Sequence, residues 1–278
     1  MRPIKDWPQE PMQSIWKELQ RLAELGSSCA LCTIVSTKGS TPGKESMKML
    51  VRADGSFLGT VGGGCLEAEV LEAALESMED ERPRRLAFAL NERDYPDSGL
   101  VCGGQLEIFV DPQVKPRLFL FGGGHISAAL ASLAKSVGFH VSVADDREFF
   151  ATPEKHPSAD AVHCLSFPDA VAESCKTEGP GDDATTRYFV VCTRGHQDDE
   201  LILAELHKCL AGRAPKYLGM VGSRAKRATL WKTLGEAGVA SEFLDGVQSP
   251  MGLSIGARTH EEIAVSVVAE LIQVRRGA

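Results

Sequence analysis

The stretch from Arg117 to Asp145 constrains this chain more than any other. Arg117-Leu-Phe-Leu-Phe121 is a short apolar run, Gly122-Gly123-Gly124 is a turn without side chains, and His125 follows it. Ile126, Leu130, Leu133 and Val137 then recur at helical spacing, and Val141-Ser-Val-Ala-Asp145 reads as a second strand ending in an acid. Together these make a strand–helix–strand unit. Gly122 and Gly124 take the first two glycine positions of a dinucleotide fingerprint, and Ser127 is small enough for the third. Asp145 falls where that fingerprint expects an acid to meet a ribose.

A long segment precedes this unit, so the layout is not that of a simple dehydrogenase. With 278 residues the chain is expected to form two domains. The fold class read from the pattern is α/β: a C-terminal Rossmann-like doubly wound parallel sheet over residues 117–278, preceded by a smaller α+β domain over residues 1–113. Asp111-Pro-Gln-Val-Lys-Pro116, with two prolines, is the expected linker.

In the first domain, residues 12–25 are predicted as a helix ended by Gly26, and residues 29–35 as a strand. Asp54-Gly55 between two apolar runs predicts a two-residue hairpin turn. Gly62-Gly-Gly64 leads into a helix with Leu66, Val70, Ala74, Leu75 and Met78 expected on its inner side. Strands are expected at 86–90 and 106–110, with Val101-Cys-Gly-Gly104 in the loop between them. In the second domain, strands are expected at 161–164, 188–192 and 217–221. The last two are followed by Thr193-Arg-Gly-His196 and Gly222-Ser-Arg224, each opening a helix. Thr259-His-Glu-Glu262 is a capping box for a final helix.

Net charge is −8, and basic residues gather only in short runs such as Lys226-Arg227 and Arg275-Arg276, so no nucleic-acid partner is expected. No apolar run approaches the roughly 20 residues that span a bilayer, and charges near the N-terminus leave no core for a signal peptide. A cytoplasmic, soluble protein is the expectation. The 8 cysteines then read as reduced thiols. Cys29 and Cys32 form a CxxC, but on a strand residues three apart face opposite ways and cannot easily grip one metal.

Ligands of a doubly wound sheet bind beyond the carboxyl ends of the strands, where strand order reverses. With the usual order, Gly122–His125 and Thr193–His196 face each other across one crevice. Backbone amides, His125, His196 and Arg194 would then equip it for a phosphate. The alternative is that both histidines only make local hydrogen bonds at helix starts. Gly222, Ser223 and Arg224 form a second candidate anion seat. In the first domain, Cys65 starts a helix after three glycines, where amide dipoles favour a thiolate, although Glu67 and Glu69 oppose this. Cys102 precedes Gly103-Gly104 in a loop free to close on a ligand. Soft thiolates suit sulfur transfer or a soft metal, with incidental packing as the alternative. No nucleophile elbow, HExxH, P-loop or zinc set is present in the sequence.

These motifs, taken in order, resemble the xanthine dehydrogenase accessory family, the XdhC/CoxI proteins. The residues that carry the resemblance are Thr37-Lys-Gly-Ser-Thr-Pro42, Val61-Gly-Gly-Gly-Cys-Leu-Glu67, Cys102-Gly-Gly104 and Phe121-Gly-Gly-Gly-His125. Asp145-Asp-Arg147, Thr193-Arg-Gly-His196 with Asp199, Gly219-Met-Val-Gly-Ser-Arg224, and 252–266 continue it. His260 departs from the family's more usual proline. The resemblance implies a non-catalytic maturation factor that binds the molybdenum cofactor (molybdopterin) and protects it during exchange of an oxo ligand for sulfur. It also implies delivery to a molybdenum hydroxylase client, with sulfur supplied by a cysteine desulfurase, and a homodimer. On this reading the pterin phosphate sits on Gly122–His125 while Cys65 and Cys102 approach the metal or the sulfur. A nicotinamide (NAD(P)) oxidoreductase using the same crevice is the alternative, and a scaffold working through protein contacts is a third.

Overall fold

A computed structural model describes residues 12–90, 103–177 and 184–277. The chain divides into two compact units, the first running to Lys115 and the second starting at Pro116.

The first unit opens with helix α1 (Met12–Leu25) and strand β1 (Cys29–Lys38). Strands β2 (Lys48–Arg52) and β3 (Phe57–Gly59), helix α2 (Cys65–Asp80), β4 (Arg84–Ala89) and β5 (Gln105–Gln113) follow. The five strands form one antiparallel sheet in the order β3-β2-β1-β5-β4. Alternation along β1 builds two cores. Ala30, Cys32 and Ile34 pack with Leu66, Val70 and Ala74 of α2, whereas Cys29 and Leu31 face Ile15 and Leu22 of α1. The CxxC thiols therefore lie on opposite faces. Burial pushes Cys29 up to about 11 and Cys32 up to about 12, which keeps both protonated.

Three local expectations need correction. The Asp54-Gly55 turn is a three-residue loop: Arg52 N donates to Ser56 O (2.8 Å) and Gly55 N to Arg52 O (3.0 Å). Leu75 is 37% exposed, because Ala73, Ala74, Ser77 and Met78 take the inner face of α2. The expected linker is shorter, since Asp111, Pro112 and Gln113 belong to β5, with Pro112 opposite Ala30. β4 pairs β5 no further than Val110, so Pro112 has a partner strand on one side only and its missing N–H is tolerated.

The second unit runs β6 (Arg117–Phe121), α3 (His125–Ser136), β7 (His140–Asp145), β8 (Ala161–Cys164), α4 (Phe167–Cys175) and β9 (Tyr188–Val191). It continues through α5 (His196–Cys209), β10 (Tyr217–Met220), α6 (Arg224–Glu236), α7 (Ser241–Asp245) and α8 (His260–Arg276). Its sheet is wholly parallel in the order β10-β9-β6-β7-β8, so the order reverses between β6 and β9. Strand residues alternate between two cores. Leu118, Leu120, Val141, Val143 and Val190 meet α3 and α8; Phe121, Phe189, Val191 and Met220 meet α4, α5 and α6. This is the doubly wound arrangement the βαβ pattern predicts. The Thr259–Glu262 capping box opens α8, and Gly277 closes it in the left-handed conformation.

Candidate functional site

Where the strand order reverses, the turns after β6 and β9 meet. Gly122 has a φ of +104°, and a Cβ there would stand 2.5 Å from Cys192 O and 3.1 Å from Thr193 Cα. Only glycine lets the two turns approach so closely. Ser127, fully buried, donates to Gly122 O and lies 2.7 Å from Cys192 Sγ, tying α3 to the floor of the crevice. Burial pushes the Cys192 thiol up to about 12, so it sits there protonated. At Gly124 the space is open: nothing lies within 4 Å of a Cβ built there. The first turn of α3 carries no acidic residue, and Gly124 caps it without a side chain. The start of this helix is therefore a bare, positively polarised end beside open space.

Asp145, expected to meet a ribose, is turned inward. It is completely buried, accepting from Gly123 N (2.8 Å), Arg147 N (3.0 Å), Arg147 Nε (2.8 Å) and Arg147 Nη2 (2.9 Å). Burial pulls its carboxyl upward, but the Arg147 guanidinium and these N–H groups prevail and hold it below the usual carboxylate range. Asp145 thus fixes the glycine turn and the segment after β7. His156, which sequence reasoning missed, packs there too. It is 2% exposed, 3.0 Å from Phe150 O, and held below the ordinary histidine range chiefly by burial.

Arg194, expected to receive a phosphate, is paired with carboxylates: Asp146 at 2.9 Å and Asp198 at 3.3 Å. With Arg147 bridging Asp145 and Asp146, a ladder of alternating charge runs Asp145–Arg147–Asp146–Arg194–Asp198. Asp199, 1% exposed, accepts from Thr193 Oγ1 (2.5 Å) and pairs with Lys226. Lys226 was also missed. The sequence shows it as half of the Lys226-Arg227 pair and as a cation in the first turn of a helix, where the dipole disfavours one. His196 and His125 are exposed at the starts of α5 and α3. His125 stacks on His260 at 5.2 Å between ring centroids. Ser223 caps α6 by accepting from Lys226 N, with Gly222 before it and exposed Arg224 after it.

In the first unit, three glycine-bearing segments converge. A Cβ at Gly104 would stand 2.1 Å from Ser40 O, and one at Gly43 would stand 2.5 Å from Val61 O. Cys65 opens α2 beside this cluster and is exposed. Glu67, expected to oppose a thiolate, is 8% exposed and spends its carboxylate on the loop. It accepts from Thr60 Oγ1, Gly63 N (3.0 Å) and Val61 N (3.3 Å). Cys102 lies outside the described residues. Among the described residues no group of three or more His, Cys, Asp or Glu is placed to hold a metal ion, and no helix is long and apolar enough to cross a membrane.

Comparison with known proteins agrees with this architecture. A family model described as the XdhC Rossmann domain matches residues 118–271, and one described as the XdhC and CoxI family matches residues 22–89. The Escherichia coli protein YqeB is 35% identical over 95% of this chain, which spans 47% of that protein's length. The E. coli molybdenum cofactor insertion chaperone PaoD is 23% identical over 90% of this chain and 84% of its own. A crystal structure described as a xanthine dehydrogenase from Bacillus halodurans aligns with a TM-score of 0.50 at 23% identity, covering 95% of this chain and 96% of that one. That likeness supports the fold.

Proposed function

The chain belongs to the XdhC/CoxI family, and from that premise we propose that it carries the molybdenum cofactor and delivers it to a molybdenum hydroxylase of the xanthine dehydrogenase kind. The observation that carries the reading is the start of α3. A helix end with unpaired amides, no acid in its first turn and open space at Gly124 suits the phosphate of a pterin cofactor. In this role Gly122 shapes the turn, Asp145 holds Gly123 in place, and Gly124 and His125 receive the anion. His196 sits on the facing turn. Kinship with the cofactor chaperone PaoD favours this cargo.

Cys65 is the thiol we assign to sulfur handling: its thiolate would take the outer sulfur of a cysteine desulfurase persulfide, the desulfurase cysteine leaving as a thiolate, and would hold that sulfur as a persulfide for the cofactor. Cys102 is assigned with it from the sequence motif. A homodimer working in the cytoplasm completes the proposal. An NAD(P) oxidoreductase is the competing reading. Asp145, already occupied by Gly123 and Arg147, leaves a nicotinamide dinucleotide to find its ribose contact elsewhere.

The test is a titration of the apo protein with purified molybdenum cofactor, with NAD(H) in parallel. Saturable cofactor binding that falls at least tenfold in Gly124→Ala is expected. In Cys65→Ser, cofactor binding should persist while activation of a client hydroxylase is lost. Tight NAD(H) binding without uptake of the pterin would overturn the proposal in favour of an oxidoreductase.

A further inference from the structure

We propose that the start of α6 is a second seat for a phosphate group, separate from the turn after β6. It stands on its own observations and does not depend on the identity of the cargo. α6 spans 13 residues, its first turn contains no acid, and Ser223 caps it by accepting from Lys226 N. The amides at the very start of such a helix have no partner within it. Arg224, Lys226 and Arg227 crowd this end, where the helix dipole disfavours positive charge. Two of them are accounted for. Lys226 pairs with Asp199, and Arg227 donates to Ser249 O (3.3 Å) and lies 5.0 Å from the Trp231 ring. Arg224 is exposed and makes no ion pair among the described residues. An exposed arginine there fits an anion docked on the helix end.

A second observation points the same way. Ser249 is 4% exposed, and its hydroxyl has no hydrogen-bond partner among the described residues. It borders the notch that Gly222 leaves. A Cβ at Gly222 would meet Lys226 Cδ at 3.2 Å, Met220 Cε at 3.6 Å and Ser249 Oγ at 3.6 Å. With Lys226 lying across it, the notch is slightly too tight for a methyl group; it is lined by an unused buried hydroxyl and widens only when the flexible Lys226 chain shifts. Once the Lys226 chain swings aside, one phosphate oxygen in this notch would take the Ser249 hydroxyl, while Arg224 and the first amides of α6 hold the others.

Inorganic phosphate is the probe, titrated into the isotope-labelled 278-residue chain at constant ionic strength, with the backbone amide resonances as readout. Saturable shifts of Gly222, Ser223, Arg224 and Ala225 are expected. Ser249→Ala should weaken this response at least threefold. Gly222→Ala should weaken it at least tenfold, because its methyl fills the notch against only a flexible lysine chain. In Gly124→Ala the α6 response should persist unchanged. The proposal is overturned if residues 222–225 show no saturable shift, if Gly222→Ala and Ser249→Ala titrate like the wild type, or if Gly124→Ala removes the α6 response.

Discussion

Replacing Asp145 by Asn separates a carboxylate that builds the crevice from one reserved for a ligand. The change keeps size and shape but removes the charge and converts one acceptor into a donor. Four N–H groups currently point at the two oxygens, one from Gly123 and three from Arg147. An amide can serve only one side of this arrangement and presents its own N–H groups to the other. Arg147 is 33% exposed, so water partly solvates its charge once the partner is gone. The cost therefore falls short of stranding a fully buried ion and is set by lost charge-assisted bonds, at about 2–3 kcal/mol. For a unit of this size that lowers the melting temperature by roughly 4–12 °C, read by scanning calorimetry. The pH dependence has a defined sign. Because the folded carboxyl is held low, its stabilisation is fully present above the unfolded aspartate pKa of about 3.9 and is lost as pH falls through the folded value. The Asn variant should lose less stability than the wild type over that acid range. A variant that melts with the wild type at neutral pH, while changing only nucleotide affinity, would refute this reasoning and return Asp145 to a ribose role.

Other outcomes follow from the same geometry. Gly122→Ala should destabilise the second unit by about 3 kcal/mol, from left-handed strain plus overpacking against Cys192 O; a wild-type melting curve would contradict it. Brief alkylation at neutral pH followed by mass spectrometry should modify exposed Cys65 while Cys29 and Cys32 stay protected. Equal labelling of Cys32 and Cys65 would show that β1 is not held as described. Thr259→Ala should cost about 1 kcal/mol through loss of the α8 cap, measured by chemical denaturation.

Much of the second unit was legible because parallel strands buried on both faces are continuous apolar runs, and Gly122, Gly195 and Gly222 punctuate the turns after β6, β9 and β10. The first unit was harder. Pro112 looked like a linker residue, since nothing local reveals that β4 pairs with β5 only as far as Val110 and leaves one side of β5 unpaired beyond it. The inward turn of Asp145 was invisible for a related reason. The fingerprint places an acid at the end of β7, but whether that acid faces ligand or loop depends on Arg147 folding back over it. His156 and Lys226 reach the crevice from segments whose spacing carries no motif. Their roles come from tertiary packing, which periodicity does not encode.

The order of strands in the first unit also bears on how the chain emerges during synthesis. β1 is the central strand, yet one of its neighbours is β5, whose residues 105–113 pair with residues 29–38. An emerging chain can form the β1–β2–β3 meander early, but the sheet stays open along one edge of β1 until β5 has been made. Pairing across so long a separation is slow to close. Gly104, which presses on Ser40, arrives with that last strand. The glycine cluster beside Cys65 is therefore completed by the final strand of its unit, and a nascent chain would offer that thiol to solvent before its surroundings exist.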